Sequence, residues 1–130
     1  MQTLVIDTNV IISAAISDKG NPAKVIKMVS DGKLQLCYNA RILSEYADVL
    51  SRQKFRFSLE KQMALIKKIV EIGIIVDPAP SDMLLPDESD RIFYDTAKTS
   101  GAVLITGNIK HYPTESFIMT PADYLALFDA

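Results

Sequence analysis

The apolar positions of this chain fall into two rhythms. Short unbroken runs (TLVI, LQLCY, IIV, AVLIT and FIM) alternate with longer segments in which apolar residues recur every three or four positions. An unbroken run between polar residues marks a strand covered on both faces, and the three-to-four spacing marks one face of a helix. The pattern therefore predicts strands over 2–7, 34–38, 74–76, 102–106 and 117–119. It predicts helices over 10–17, 22–31, 40–52, 58–72 and 90–99, and a last one from Thr120-Pro121 to near Phe128.

Punctuation supports the boundaries. Asn9, Asn39 and Ser58 are expected N-caps, Pro22 suits a first helical turn, and Gly73 and Gly101 are expected stops. SDKGNP (17–22), the Pro- and Asp-rich stretch 77–90 and GNIKHYP (107–113) read as connections, the last as a loop or short helix. Strands alternating with helices imply an α/β fold: three layers, α/β/α, around a central, mostly parallel five-stranded sheet. At 130 residues the chain reads as one domain, 1–130, with a core large enough to need no staples.

Composition narrows the class. Apolar residues make up 48% and charged residues 23%, ordinary for a globular protein. A net charge of −2 argues against a broad basic field but permits a local basic rim on a nucleic-acid site. Cys37 is the one cysteine, so no internal disulfide forms. No apolar run approaches ~18 residues, which argues against a membrane span. The opening MQTLVID has neither a basic n-region nor a cleavable apolar segment, so a cytoplasmic protein is expected.

The candidate chemistry lies at one sheet edge. In parallel α/β sheets ligands sit beyond the C-terminal ends of the strands. Asp7 closes the first strand there, and Thr106-Gly107-Asn108 closes the fourth. Glu45 lies on the 40–52 helix, and Asp87 and Asp90 lie in PDESD at the entry to the 90–99 helix. Carboxylates gathered at one edge repel each other, and a hard divalent cation resolves the repulsion. Such a cation lowers the pKa of a bound water and stabilises charge on a phosphate. Plainer readings stand beside this one. Asp90 would serve as a helix cap, Asp87 as an idle loop acid, Glu45 as a solvated residue, and Thr106 and Asn108 as turn residues.

VIDTNVIISA, SEYADVL, DESDRIFYDTA, LITGNIKHYP and TPADYLALF, in that order, resemble the PIN-domain family. More narrowly, the chain is similar to the VapC-like ribonuclease toxins of toxin–antitoxin systems. The resemblance implies an Mg²⁺- or Mn²⁺-dependent endoribonuclease acting on RNA, usually a homodimer held inactive by a small antitoxin. It assigns Asp7, Glu45 and Asp90 as the acidic ligands and catalytic residues. Asn9 would support the first acid, Asp87 would be an extra acid upstream of the third, and Thr106 would end strand four. Many members carry a fourth acid where this chain has Asn108, which adds no charge.

Arg41, Arg91 and Lys110 are candidate RNA contacts. RQKFRF (52–57) interleaves cations with two phenylalanines; packing of Phe55 and Phe57 into the core is the first expectation, base stacking the second. His111 is expected to play a surface or turn role. Two other classes stay open: a receiver-like acidic-pocket signalling module and a non-catalytic PIN-fold binding protein. The receiver would want adjacent acids after strand one, where Asp7-Thr8-Asn9 stands.

Overall fold

The protein is described by a computed structural model over residues 1–128. The strands are β1 (Thr3–Ile6), β2 (Gln35–Tyr38), β3 (Ile74–Ile75), β4 (Val103–Ile105) and β5 (Ile118–Met119). The helices are α1 (Thr8–Ile16), α2 (Asn21–Ser30), α3 (Ala40–Leu50), α4 (Leu59–Ile72), α5 (Arg91–Ser100) and α6 (Pro121–Ala126). Short 3-10 turns at 53–55, 88–90 and 109–111 interrupt the connections. No described helix is long and apolar enough to cross a membrane.

The five strands form one sheet in the order β3-β2-β1-β4-β5, and every neighbouring pair is parallel. Leu4, Val5, Ile6, Leu104 and Ile105 are fully buried, as unbroken apolar strands in a covered sheet must be. The edge strand β3 is two residues long and exposed, which limits its use as a template for further pairing.

The register alternates the faces of β2. Leu36 lies against α1, α2 and α4, beside Ile11, Ile26 and Ile69. Tyr38 packs on Gly73 at the end of α4 so closely that an added Cβ would fall 2.7 Å from the ring, hence the glycine. Cys37 faces the other way, toward Ser100 of α5, which packs on β1, β2 and β4. These are the three layers. α3 sits against the end of β1, where the Tyr46 hydroxyl donates to the Ile6 carbonyl and its ring stacks on Phe93 of α5.

The chain leaves β1 toward β2 and β3, then returns through α5 to β4 on the other side of β1. The direction of winding reverses there, and ligand crevices form at such switch points. Ile6 pairs with Ile105, so the next residues, Asp7 and Thr106, stand side by side. The Asp7 amide donates to the Ile105 carbonyl at 2.9 Å.

One boundary departs from the sequence reading. Asn9 does not cap α1: the helix starts at Thr8, Asp7 holds the cap position, and the Val10 amide already bonds the Asp7 carbonyl at 3.0 Å. The strand enters the helix without a linker, which frees the Asn9 side chain for the site. Asn39 and Ser58 cap as expected, bonding the amides of Ile42 and Lys61 at 3.0 and 3.1 Å.

Candidate metal centre at the end of the first strand

Asp7, Glu45 and Asp90 line one open cleft of about 410 Å³, with Thr8, Asn9, Phe55 and His111 among its walls. β1 delivers Asp7, α3 delivers Glu45, and the turn before α5 delivers Asp90.

Asp7 is buried, 6% exposed, and one of its oxygens is crowded with donors. Oδ2 accepts the hydroxyls of Thr106 and Tyr112, each at 2.9 Å, and the Asn9 amide lies at 3.5 Å. Asn9 Oδ1 in turn accepts the Gly107 amide at 2.9 Å. A Cβ at Gly107 would approach that oxygen to 3.2 Å, so the close crossing suits glycine. Thr106 Oγ1 accepts the Asn108 amide at 3.0 Å. One network thus ties the end of β1 to the β4–β5 connection.

Asp90 is placed differently. It stands at the cap position of α5, yet its backbone is helical and its side chain makes no cap bond. Its Oδ2 is buried without a hydrogen-bond partner. A buried, unpartnered carboxylate oxygen is costly unless something positive meets it. Asp87 is exposed and caps the turn after it, accepting the Ser89 amide at 2.9 Å; that bond lowers its pKa. It does not line the cleft, but its charge reaches Asp90.

All three cleft acids resist ionisation. Burial pushes Asp7 above the usual carboxylate range, against the hydrogen bonds of Tyr112 and Thr106. Burial and the charge of Asp7 raise Glu45. Burial, then the charges of Asp7 and Asp87, push Asp90 up to about 6. Opposed carboxylates at such spacing are what a cation would relieve. The oxygen donors fit a hard divalent ion. Among the described residues no three His, Cys, Asp or Glu side chains converge tightly enough to hold an ion directly. An ion that keeps several waters and uses one or two carboxylates directly suits that spacing.

Sequence reading missed Tyr112, which falls in the stretch read as a loop or short helix, and it took Tyr46 only as part of the apolar face of the 40–52 helix. Thr8, whose hydroxyl is buried without a partner, also went unread. His111 is exposed, as expected, but its Nδ1 stands 3.8 Å from Asp90 Oδ2 and its Nε2 is 2.9 Å from the Asn108 side-chain amide. Arg91 is not a free cation. Its guanidinium holds Glu88 at 2.6 and 2.8 Å, the Ser81 carbonyl at 2.8 Å and the Met83 carbonyl at 2.6 Å. It clamps the connection before α5, helped by buried Asp95, which accepts the Ser81 hydroxyl. Arg41 and Lys110 are exposed. Phe55 and Phe57 stack on each other, centroids 5.8 Å apart, half-buried rather than in the core.

The sequence pattern of the PIN domain family matches residues 3–110, and the chain belongs to that family. An uncharacterised protein of Methanocaldococcus jannaschii, MJ1680, is 31% identical over 108 residues, covering 81% of this chain and 70% of the relative. PAE2754 from Pyrobaculum aerophilum has a similar fold, with a TM-score of 0.58 at 17% identity, over 99% of this chain and 90% of that one. VapBC2 from Rickettsia felis, solved bound to a DNA fragment from their promoter, superposes with a TM-score of 0.56 at 16% identity, over 84% and 90%. The five-stranded parallel sheet with helices on both faces is the PIN architecture.

Proposed function

We propose that the chain is an Mg²⁺- or Mn²⁺-dependent endoribonuclease hydrolysing phosphodiester bonds of RNA. The carrying observation is that Asp7, Glu45 and Asp90 line one cleft with all three ionisations suppressed and one Asp90 oxygen buried and unpartnered. Membership of the PIN family supports it.

When bound, a divalent ion supplies the charge that activates water and offsets charge gathering on the phosphate. Asp7, Asp90 and Glu45 would hold it, directly or through waters. Thr106 and Tyr112 occupy Asp7 Oδ2, which fixes the carboxylate and leaves Oδ1 the freer oxygen. Asn9 pins Gly107 and so the connection that carries Asn108 and His111. Phe55, on the cleft wall with the Lys54 ammonium 5.1 Å from its ring centre, offers a face on which an unpaired base stacks. That arrangement favours a single strand. Arg41, one turn from Glu45 on α3, and Lys110, beside His111, would meet phosphates.

The same reading makes the chain the toxin of a toxin–antitoxin pair, cytoplasmic and homodimeric, with a small antitoxin as partner. The fold likeness to VapBC2 supports the pairing. The buried free thiol of Cys37 is compatible with a reducing compartment. Exposed Leu59, Met63 and Val70 on α4 offer apolar surface for a second copy.

The test is cleavage of a labelled single-stranded RNA. Cleavage with Mn²⁺ or Mg²⁺, abolished by chelator and by Asp7→Asn, is expected. Cleavage that survives both would overturn the proposal.

A further inference from the structure

We propose that His111 is a nitrogen ligand of this centre, oriented by Asn108, and that it turns the site toward first-row transition ions over Mg²⁺ and Ca²⁺. The inference rests on the metal-centre reading above and adds a ligand and an ion class to it.

The geometry begins with a gap. His111 Nδ1 and Asp90 Oδ2 are 3.8 Å apart, too far for a hydrogen bond. The Asp90 oxygen is the one buried without a partner. Asp90 Oδ2 and His111 Nδ1 would hold an ion between them, a carboxylate oxygen and an imidazole nitrogen both being metal donors. The imidazole lines the same cleft as Asp7 and Glu45.

The second feature is what holds the ring. Nε2 lies 2.9 Å from Nδ2 of the Asn108 amide, an orientation in which Nε2 accepts and Nδ1 carries the proton. The nitrogen and oxygen of that amide exchange places by a half-turn, and the tautomer of the ring follows. With its oxygen toward the ring, Asn108 accepts the Nε2 proton and leaves the Nδ1 lone pair facing Asp90. Metal-bound histidines donate their other N–H to a carbonyl or carboxylate in this way. Asn108 is itself anchored: its backbone amide bonds Thr106 Oγ1 at 3.0 Å, and Thr106 bonds Asp7 at 2.9 Å. Ring and first carboxylate therefore belong to one network.

This gives the Asn108 departure a chemical meaning. A fourth acid would add negative charge and an oxygen, favouring Mg²⁺ or Ca²⁺. A neutral amide that orients an imidazole exchanges that charge for a nitrogen donor, which first-row transition ions accept more readily than Mg²⁺ or Ca²⁺.

The experiment is pulsed electron paramagnetic resonance on the full chain loaded with Mn²⁺, alone and with a single-stranded oligonucleotide, for wild type and His111→Ala. A ¹⁴N coupling from directly bound imidazole is expected in wild type and lost in the variant. The Mn²⁺ Kd of the variant should rise about tenfold or more, the scale of losing an ordered partner of the metal. Its Mg²⁺ Kd should move by less than about threefold, since Mg²⁺ draws little on nitrogen. The His111 side chain is 52% exposed, so the variant should fold, which its melting curve checks. Bound Mn²⁺ without nitrogen coupling would overturn the role of His111 and leave the acid centre standing. No bound Mn²⁺ under either condition would overturn both.

Discussion

The hydroxyl of Tyr112 donates to Oδ2 of Asp7 at 2.9 Å, joining residues 105 positions apart inside the buried end of the sheet. Burial and the neighbouring Asp7 charge push the phenol far above its ordinary pKa, so it stays a proton donor at any working pH. Tyr112→Phe keeps the ring and removes the donor. A hydrogen bond to a buried charged group contributes about 2 kcal/mol, so unfolding free energy should fall by about that much. Metal-dependent cleavage should slow by roughly tenfold or more through kcat, with KM for RNA little changed. Unchanged denaturation and kinetics would show that Thr106 alone fixes Asp7.

Asp90 sets a pH dependence. Its pKa rises from 3.8 to about 6 on folding, chiefly through burial and then the charge of Asp7. In that window the folded state holds the proton more tightly than the unfolded chain. The Asp90 contribution to metal-free stability therefore falls as pH rises from about 4 to 6, by on the order of 2 kcal/mol. Asp90→Asn should be more stable than wild type at pH 7 in chelator and about equal at pH 4. Divalent ion should stabilise wild type at pH 7 and leave the variant unmoved. Chemical denaturation at the two pH values checks both signs.

Arg91 is engaged with the connection before α5 and is expected to act on order rather than on RNA. Arg91→Ala removes bonds to Glu88, Ser81 and Met83, and should lower the denaturation midpoint. Arg91→Lys should not rescue it, because an ammonium cannot fork to the same acceptors. Hydrogen exchange should quicken over 80–90 in both variants. Protection equal to wild type would remove the clamp from the account.

Phe55 separates substrate binding from metal binding. Phe55→Ala removes the half-buried ring beside the acids, and loss of one stacked base costs about 1–3 kcal/mol. KM for single-stranded RNA should rise roughly tenfold while Mn²⁺ affinity holds. An unchanged KM would return Phe55 and Phe57 to a purely structural pairing.

The fold was legible because its signals were local. The runs TLVI, LQLCY and AVLIT had nowhere to go but a covered sheet, and Asn39, Ser58 and Gly101 punctuate the helices where expected. The strand-to-helix turn at Asp7 was misjudged because Asn9 has cap chemistry, whereas the chain turns two residues sooner and uses that side chain to reach Gly107. Asp7, Glu45 and Asp90 stood out as polar residues at the edge of apolar elements. Tyr112 did not, since it lies in a stretch read as a loop or short helix and only the folded path brings its hydroxyl to Asp7. The contacts of Arg91 and of His111 were not legible. Both depend on the long-range path of a connection, which neither spacing nor charge encodes.

The proposed chemistry stands on Asp7 and its neighbours holding a divalent ion. Isothermal titration calorimetry with Mn²⁺, on wild type and Asp7→Asn with single-stranded oligonucleotide present, tests it most directly. Saturable binding by wild type is expected, lost in the variant with folding intact by circular dichroism. Equal binding by both proteins, or binding by neither, would contradict it.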